Sequence, residues 1–183
     1  MKPRIAFVLA GASIIPFLLV VETAGFRLNF TDSAPHGLWF IDKSKIPERG
    51  SLVSFCPPST PVVKAMVAQY HLPRGDCIES GSYPLLKAVS AVSGDLVVIR
   101  NEMPVLVNGK EIPNTIAHNK SLSWPSGTYQ VKPGYVWVFS TYNEQSFDSR
   151  YFGPVPIENV RGLSFPILVD GNTDNMKKEI PHA

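Results

Sequence analysis

From Ile5 to Val21 the chain carries no charge, and Lys2 and Arg4 stand immediately before that run. Gly11, Ser13 and Pro16 are its only interruptions. The length is at the lower limit for a helix that spans a bilayer and exceeds the usual core of a signal peptide. Positive charge ahead of such a run keeps the N-terminus in the cytoplasm and sends the rest of the chain across the membrane. Everything after Glu22 is therefore expected to fold as an extracytoplasmic domain hanging from one membrane helix. Two other readings stay open. Small residues at Thr23, Ala24 and Gly25 would suit a cleavable signal, although Glu22 is poorly placed in one, and a buried core helix is the third. The expected organisation is an anchor over residues 1–26, a β-rich domain over 27–170 and a mobile tail over 171–183.

Composition supports a compact domain after the anchor. Apolar residues make up 44% of the chain and charged residues 17%, enough for a sizeable core. A net charge of +2, with scattered lysines and arginines, excludes a nucleic-acid surface. The 17 prolines and 13 glycines follow no period and fall between short apolar runs, the pattern of many strands joined by turns. Strands are expected in G-L-W-F-I-D (37–42), S-L-V-S-F (51–55) and G-Y-V-W-V-F-S (134–140). P-L-L-K-A-V-S-A-V-S-G-D-L-V-V-I-R (84–100) should give two strands joined around Ser93-Gly94-Asp95. Asn108-Gly109, between alternating residues, signals a tight hairpin. One or two last strands lie in 160–169, and 113–128 reads as a loop. The best helix is 62–71, where Val62, Val63, Met66, Val67 and Tyr70 recur at helical spacing after Pro61.

Cys56 and Cys77 would lie in an oxidising compartment, which permits a disulfide; two buried thiols are the alternative. There is no Cys-x-x-Cys motif, and His36, His71, His118 and His182 are far apart, so no metal site is expected.

Chemistry centres on T-D-S-A-P-H-G-L-W, residues 31–39. A serine hydroxyl is a poor nucleophile unless a base removes its proton. His36 is three residues from Ser33, and a turn that short rarely aims an imidazole back at the serine. A lysine can serve instead if burial in apolar surroundings keeps its amine neutral. Lys87 is the lysine set within an apolar strand, Leu85-Leu86-Lys87-Ala88-Val89. Alternation alone could equally place it on the solvent face.

Four segments, in this order, resemble the boxes of the membrane-bound signal peptidase family. They are T-D-S-A-P-H-G-L-W, L-K-A-V-S-A-V-S-G-D, S-T-Y-N-E-Q-S-F-D-S-R-Y-F-G-P-V and, more weakly, V-R-G-L-S-F-P. Ordinary signal peptidases carry Ser-Met-x-Pro, whereas here Pro35 follows Ser33 after one residue and Gly37-Leu38-Trp39 come next. That form resembles the conjugative-transfer, TraF-type branch. The resemblance implies a signal-peptidase-like, mainly β catalytic domain behind one transmembrane helix, held in the inner membrane with its domain in the periplasm. It implies a serine endopeptidase with Ser33 as nucleophile, Lys87 as general base and Asp148 supporting the lysine, directly or through Ser146 or Ser149. Thr31 matches a position that helps the Ser33 amide form an oxyanion hole, and Arg150 is the natural ion partner of Asp148. No cofactor is implied. The expected substrate is a pilin precursor for a type IV secretion channel, cleaved or cleaved and cyclised. A general signal peptidase and a non-catalytic scaffold of the transfer apparatus are the rival readings; a self-cleaving repressor is excluded, because a membrane segment stands where its DNA-binding module would be.

Overall fold

The computed structural model describes residues 24–172. The expected anchor, Ile5–Val21, and the tail from residue 173 onward lie outside the described residues. Among the described residues no helix is long and apolar enough to cross a membrane.

In chain order the elements are β1 (Phe26–Asn29), β2 (His36–Asp42), β3 (Leu52–Phe55), helix α1 (Pro61–Ala68), β4 (Leu85–Ala91), β5 (Leu96–Ile99), β6 (Leu106–Val107), β7 (Lys110–Glu111), β8 (Gly127–Gln130), β9 (Tyr135–Phe139), helix α2 (Ser149–Phe152), β10 (Val155–Pro156), a 3₁₀ turn (Ile157–Asn159) and β11 (Val160–Asp170). They build two antiparallel sheets. The larger has the order β1-β2-β11-β3-β4-β9-β10, and the smaller β7-β6-β5-β8. The last strand therefore inserts between two early ones. β11 pairs with β2 along one stretch and with β3 along another, and slips register between Pro166 and Leu168.

β4 is buried at all seven positions because both of its faces are covered. Leu85 and Val89 join a core with Val53, Phe55, Val63, Val67 and Phe152. Leu86 and Ala88 join Ala34, Trp39 and Leu52 in a second core. A half-solvated antiparallel strand would alternate with polar residues, whereas a strand covered on both faces reads as an apolar run. β9 bridges the sheets in the same way. Its Val136 and Val138 enter the first core, while Trp137 and Phe139 pack with Val97, Ile99 and Val107 of the smaller sheet.

α1 starts where Thr60 accepts the Val63 amide and Pro61 occupies the first turn. The spacing predicts a helix to residue 71; the structure ends it at Ala68, and Tyr70 turns to a φ of 60°. The Asn108-Gly109 hairpin forms as expected, with both residues at positive φ. Residues 160–170 make a single strand, within the one or two expected there. Two elements depart from expectation: β8 starts inside the expected loop, and Phe26, assigned to the anchor, pairs with Phe40 in the larger sheet. Cys56 and Cys77 form a disulfide with a Cα–Cα distance of 5.5 Å, tying the end of β3 to the approach to β4.

Candidate active site

Ser33 sits on the short loop that joins β1 to β2, and the neighbouring residues explain why that loop has its sequence. Gly37 has a φ of 131°, and a Cβ there would lie 2.2 Å from the Leu168 carbonyl oxygen, so β11 can cross β2 only at a glycine. Pro35 supplies the carbonyl to which the buried Trp39 indole donates, at 3.1 Å. Ala34 is fully buried in the core beside Trp39. The Pro-x-Gly-x-Trp pattern is thus the scaffold that presents Ser33 at the rim of the sheet, where it is half-buried. Its hydroxyl lies 3.1 Å from the Thr31 hydroxyl. His36 turns to the surface and pairs with Asp32 at 3.0 Å.

Lys87 lies in the middle of β4, opposite Val53 of β3, with 1% of its surface exposed. The solvent-facing alternative for this lysine is therefore wrong, because both faces of β4 are covered. Burial pulls its pKa down from 10.5 to about 7, against the Asp148 carboxylate, which raises it; the Arg150 guanidinium lowers it further. The amine donates to the Leu86 carbonyl at 3.3 Å. A lysine so placed is present in large part as the free base near neutral pH.

Asp148 and Arg150 form a closed knot that is sealed from solvent. Asp148 Oδ1 accepts Arg150 Nε at 2.9 Å, and Oδ2 accepts Nη2 at 2.9 Å. The same carboxylate caps α2 through the Arg150 amide at 3.0 Å. Arg150 then donates to the carbonyls of Asn114, Ile116, Glu144 and Ser146, so one side chain fastens two loops. Ser149 donates nothing toward the lysine; its hydroxyl accepts the Val138 amide at 3.0 Å and thereby fixes α2 to β9. The Ser146 hydroxyl is buried without a hydrogen-bond partner.

Ser140, which opens the S-T-Y-N-E-Q-S-F-D-S-R-Y-F-G-P-V segment but is given no role by the resemblance, joins these parts. Its hydroxyl donates to the Ser33 carbonyl at 3.3 Å and its amide to Asp148 Oδ2 at 3.0 Å. It follows Phe139, which pairs with Ala88, so Ser140 lies at the end of β9 nearest Lys87. Ser33, Ser140, Asp148 and Lys87 thus share one neighbourhood, although the serine hydroxyl and the lysine amine each hold another partner in this arrangement.

Two cavities flank the Ser33 loop. An apolar groove of about 260 Å³ is lined by Leu28, Phe30, Thr31, Ile41, Tyr83 and Leu86. On the other side a polar cavity of about 580 Å³ is lined by Asp32, His36, Tyr142, Asn143, Glu144 and Asp170. An extended peptide passing Ser33 would have an apolar seat on one side and a polar one on the other. Among the described residues no three His, Cys, Asp or Glu side chains gather as metal ligands.

A loop serine, a buried lysine of depressed pKa and a buried acid thus stand in one neighbourhood on an antiparallel β framework. The chain belongs to the signal peptidase family, peptidase S26, matching it over residues 3–168; members of that family are serine peptidases. Within the family the similarity runs to conjugative transfer. The chain is 37% identical over 173 residues to the conjugal transfer protein TraF of Agrobacterium tumefaciens (strain 15955), covering 90% of this chain and 96% of that protein. It is 32% identical over 170 residues to a plasmid transfer protein TraF of Escherichia coli, covering 89% of each. A more distant relative, thylakoidal processing peptidase 1 of Arabidopsis thaliana, is 33% identical over 84 residues, 43% of this chain and 23% of that protein.

Proposed function

We propose that the protein is a membrane-anchored serine endopeptidase of conjugative transfer, with Ser33 as nucleophile and neutral Lys87 as general base. The observation that carries this reading is Lys87 itself: a fully buried amine with a pKa of about 7 beside a buried carboxylate. A structural lysine has no reason to be desolvated, whereas a base that works at neutral pH must be.

In the first half of the reaction Ser33 Oγ attacks the scissile carbonyl and its proton passes to Lys87 Nζ. The tetrahedral intermediate collapses, the C–N bond breaks, and Lys87 returns the proton to the leaving amine. The acyl-enzyme is then opened by water, giving an acid, or by the substrate's own N-terminal amine, giving a ring. The Ser33 amide, with the Thr31 hydroxyl, forms the oxyanion hole; Thr31 must first release its present acceptor, Asn29. Asp148 favours proton uptake by Lys87 as charge develops. The unpartnered Ser146 hydroxyl is the natural acceptor for the amine once Lys87 turns. The groove lined by Leu28, Ile41 and Leu86 takes the acyl half of the substrate, whose residues near the cleavage site are then small or apolar.

The proposed substrate is a pilin precursor for a type IV secretion channel. The similarity to conjugal transfer proteins along nearly the whole length of those relatives supports this. The proposed location is the inner membrane, spanned once, with the catalytic domain in the periplasm. The disulfide fits an oxidising compartment. Intact mass of a pilin precursor incubated with the membrane-embedded enzyme tests the reading, beside Ser33→Ala and Lys87→Ala. A trimmed product lighter by one water than the linear fragment means ring closure, and a linear product means plain cleavage. Processing by both variants would remove the dyad and leave the scaffold reading; processing of unrelated exported precursors at equal rates would favour a general signal peptidase.

A further inference from the structure

Asn29, the last residue of β1, enters the reaction as written only as the acceptor that Thr31 releases, yet it makes more polar contacts than any other side chain in the Ser33 loop. Its Nδ2 donates to the carbonyls of Thr31 at 3.0 Å, Ala34 at 2.9 Å and Pro35 at 3.1 Å. Its Oδ1 accepts the Thr31 amide at 3.2 Å and the Thr31 hydroxyl at 2.8 Å. The amide orientation is set by the network, since a flipped side chain would set its oxygen against three carbonyl oxygens.

A hydroxyl carries one proton. That of Thr31 is given to Asn29, because Oδ1 has none to give. In the 3.1 Å contact between Thr31 Oγ1 and Ser33 Oγ, Thr31 can then only accept, and Ser33 is the donor.

We propose that Asn29 is a positioning residue that holds the Ser33 loop in shape and sets the direction of its hydroxyl protons, so that the resting nucleophile points its proton at Thr31. This rests on the reading of Ser33 as nucleophile. One turnover then requires two reorientations. Ser33 turns its proton from Thr31 to Lys87, and Thr31 turns its own from Asn29 to the oxyanion. The second is driven by the charge that develops on the substrate, since a hydrogen bond to an anion is roughly twice as strong as one to a neutral amide oxygen. The resting site is therefore held in a non-nucleophilic arrangement that substrate releases.

The test is a kinetic cycle on a precursor-derived peptide, with folding followed by thermal melting. Asn29→Ala is expected to lower kcat about 10²-fold, as for a small misplacement of a reacting group, with KM changed less than about threefold. Thr31→Val should fall by a similar factor, and the double variant Asn29→Ala/Thr31→Val by no more than about threefold beyond the worse single, because the two act as one unit. A kcat for Asn29→Ala near that of the wild type, or losses that multiply in the double variant, overturns the proposal. If Asn29→Ala does not fold, Asn29→Asp answers the same question. It keeps the acceptor for Thr31 but sets a carboxylate against three carbonyls, and a folded Asn29→Asp enzyme with wild-type kcat overturns the proposal. Hydrogen exchange of the Asn29 side-chain amide needs no activity. Slow exchange is expected; fast exchange sinks the proposal, whereas slow exchange in a chain that cleaves nothing upholds the Asn29 network and counts against the peptidase reading alone.

Discussion

Two short segments meet at the candidate site, residues 29–36 and residues 143–150, and they are held by opposite means. The first is a half-buried loop held by neutral hydrogen bonds, most of them from Asn29, whose partners are backbone groups and a hydroxyl, with Trp39, Ser140 and Asn143 each donating to one of the loop's carbonyls. The second is a sealed knot in which Asp148 and Arg150, both essentially without solvent contact, hold each other in a two-point ion pair. Neutral hydrogen bonds at a half-wet rim can be exchanged at modest cost. A desolvated, fully satisfied ion pair is strongly penalised if either partner is lost. Ser33 is thus placed where protons can reorient, and Asp148 where nothing should move.

That contrast can be broken by experiment. Ser33→Ala and Lys87→Ala are expected to lower cleavage by about 10³-fold or more while leaving a folded chain, since each removes a group that the proposed reaction uses. Wild-type cleavage by either variant would end the division of roles. Arg150→Ala is expected to act on the fold itself, costing roughly 3–5 kcal/mol because it leaves the Asp148 carboxylate buried and unpaired. Thermal melting of the purified domain checks it, and a near-normal melting temperature would mean that the knot is wetter than its geometry implies. Replacing Cys56 and Cys77 together by alanine should cost about 3 kcal/mol, read by denaturant unfolding, with activity retained below the new midpoint.

The pH dependence sharpens the comparison. Lys87 must be neutral to accept the proton, so kcat/KM should rise as pH passes about 7 and then level. Stability carries the same sign. The unfolded chain keeps the Lys87 proton up to its ordinary pKa of 10.5 and the folded chain only to about 7. Between those values the unfolded state binds more protons, and stability rises with pH across that window. Lys87→Met should remove the slope and, at pH 7 and below, make the inactive domain more stable than the wild type. A flat wild-type profile between pH 7 and 10 would deny the depressed pKa. The smallest effect is expected at His36, whose pair with Asp32 is largely exposed. His36→Ala should keep kcat/KM within about threefold, as surface ion pairs contribute little.

The large sheet was readable in the sequence where apolar runs were bounded by turns, and the buried status of Lys87 became clear once its strand was known to be covered on both faces. The Asn108-Gly109 hairpin was legible for a local reason, because few residues tolerate two successive positive φ values. β1 was not, since Phe26-Arg27-Leu28-Asn29 borders a longer apolar run that masks a four-residue strand. α2 is a single turn defined by the Asp148 cap and by packing, with no room for helical periodicity to show. Asn29 and Ser140 escaped notice for a different reason. Each acts on backbone groups that only the folded loop brings together, so no charge announces it, and the segment that opens at Ser140 gives that residue no role. An Asn two residues before a Thr is the one local hint, since that spacing suits an Asx turn.

The place of β11 in the larger sheet has a consequence for how the molecule is made. Residues 160–170 lie between β2 and β3, so the strand after Ser33 has no neighbour on that side until the ribosome has reached Asp170. Nearly the whole described domain must be synthesised before the Ser33 loop is braced on that side. A nascent chain that stops short of β11 therefore carries Ser33 and Lys87 on two parts of the sheet with nothing between them to join the two.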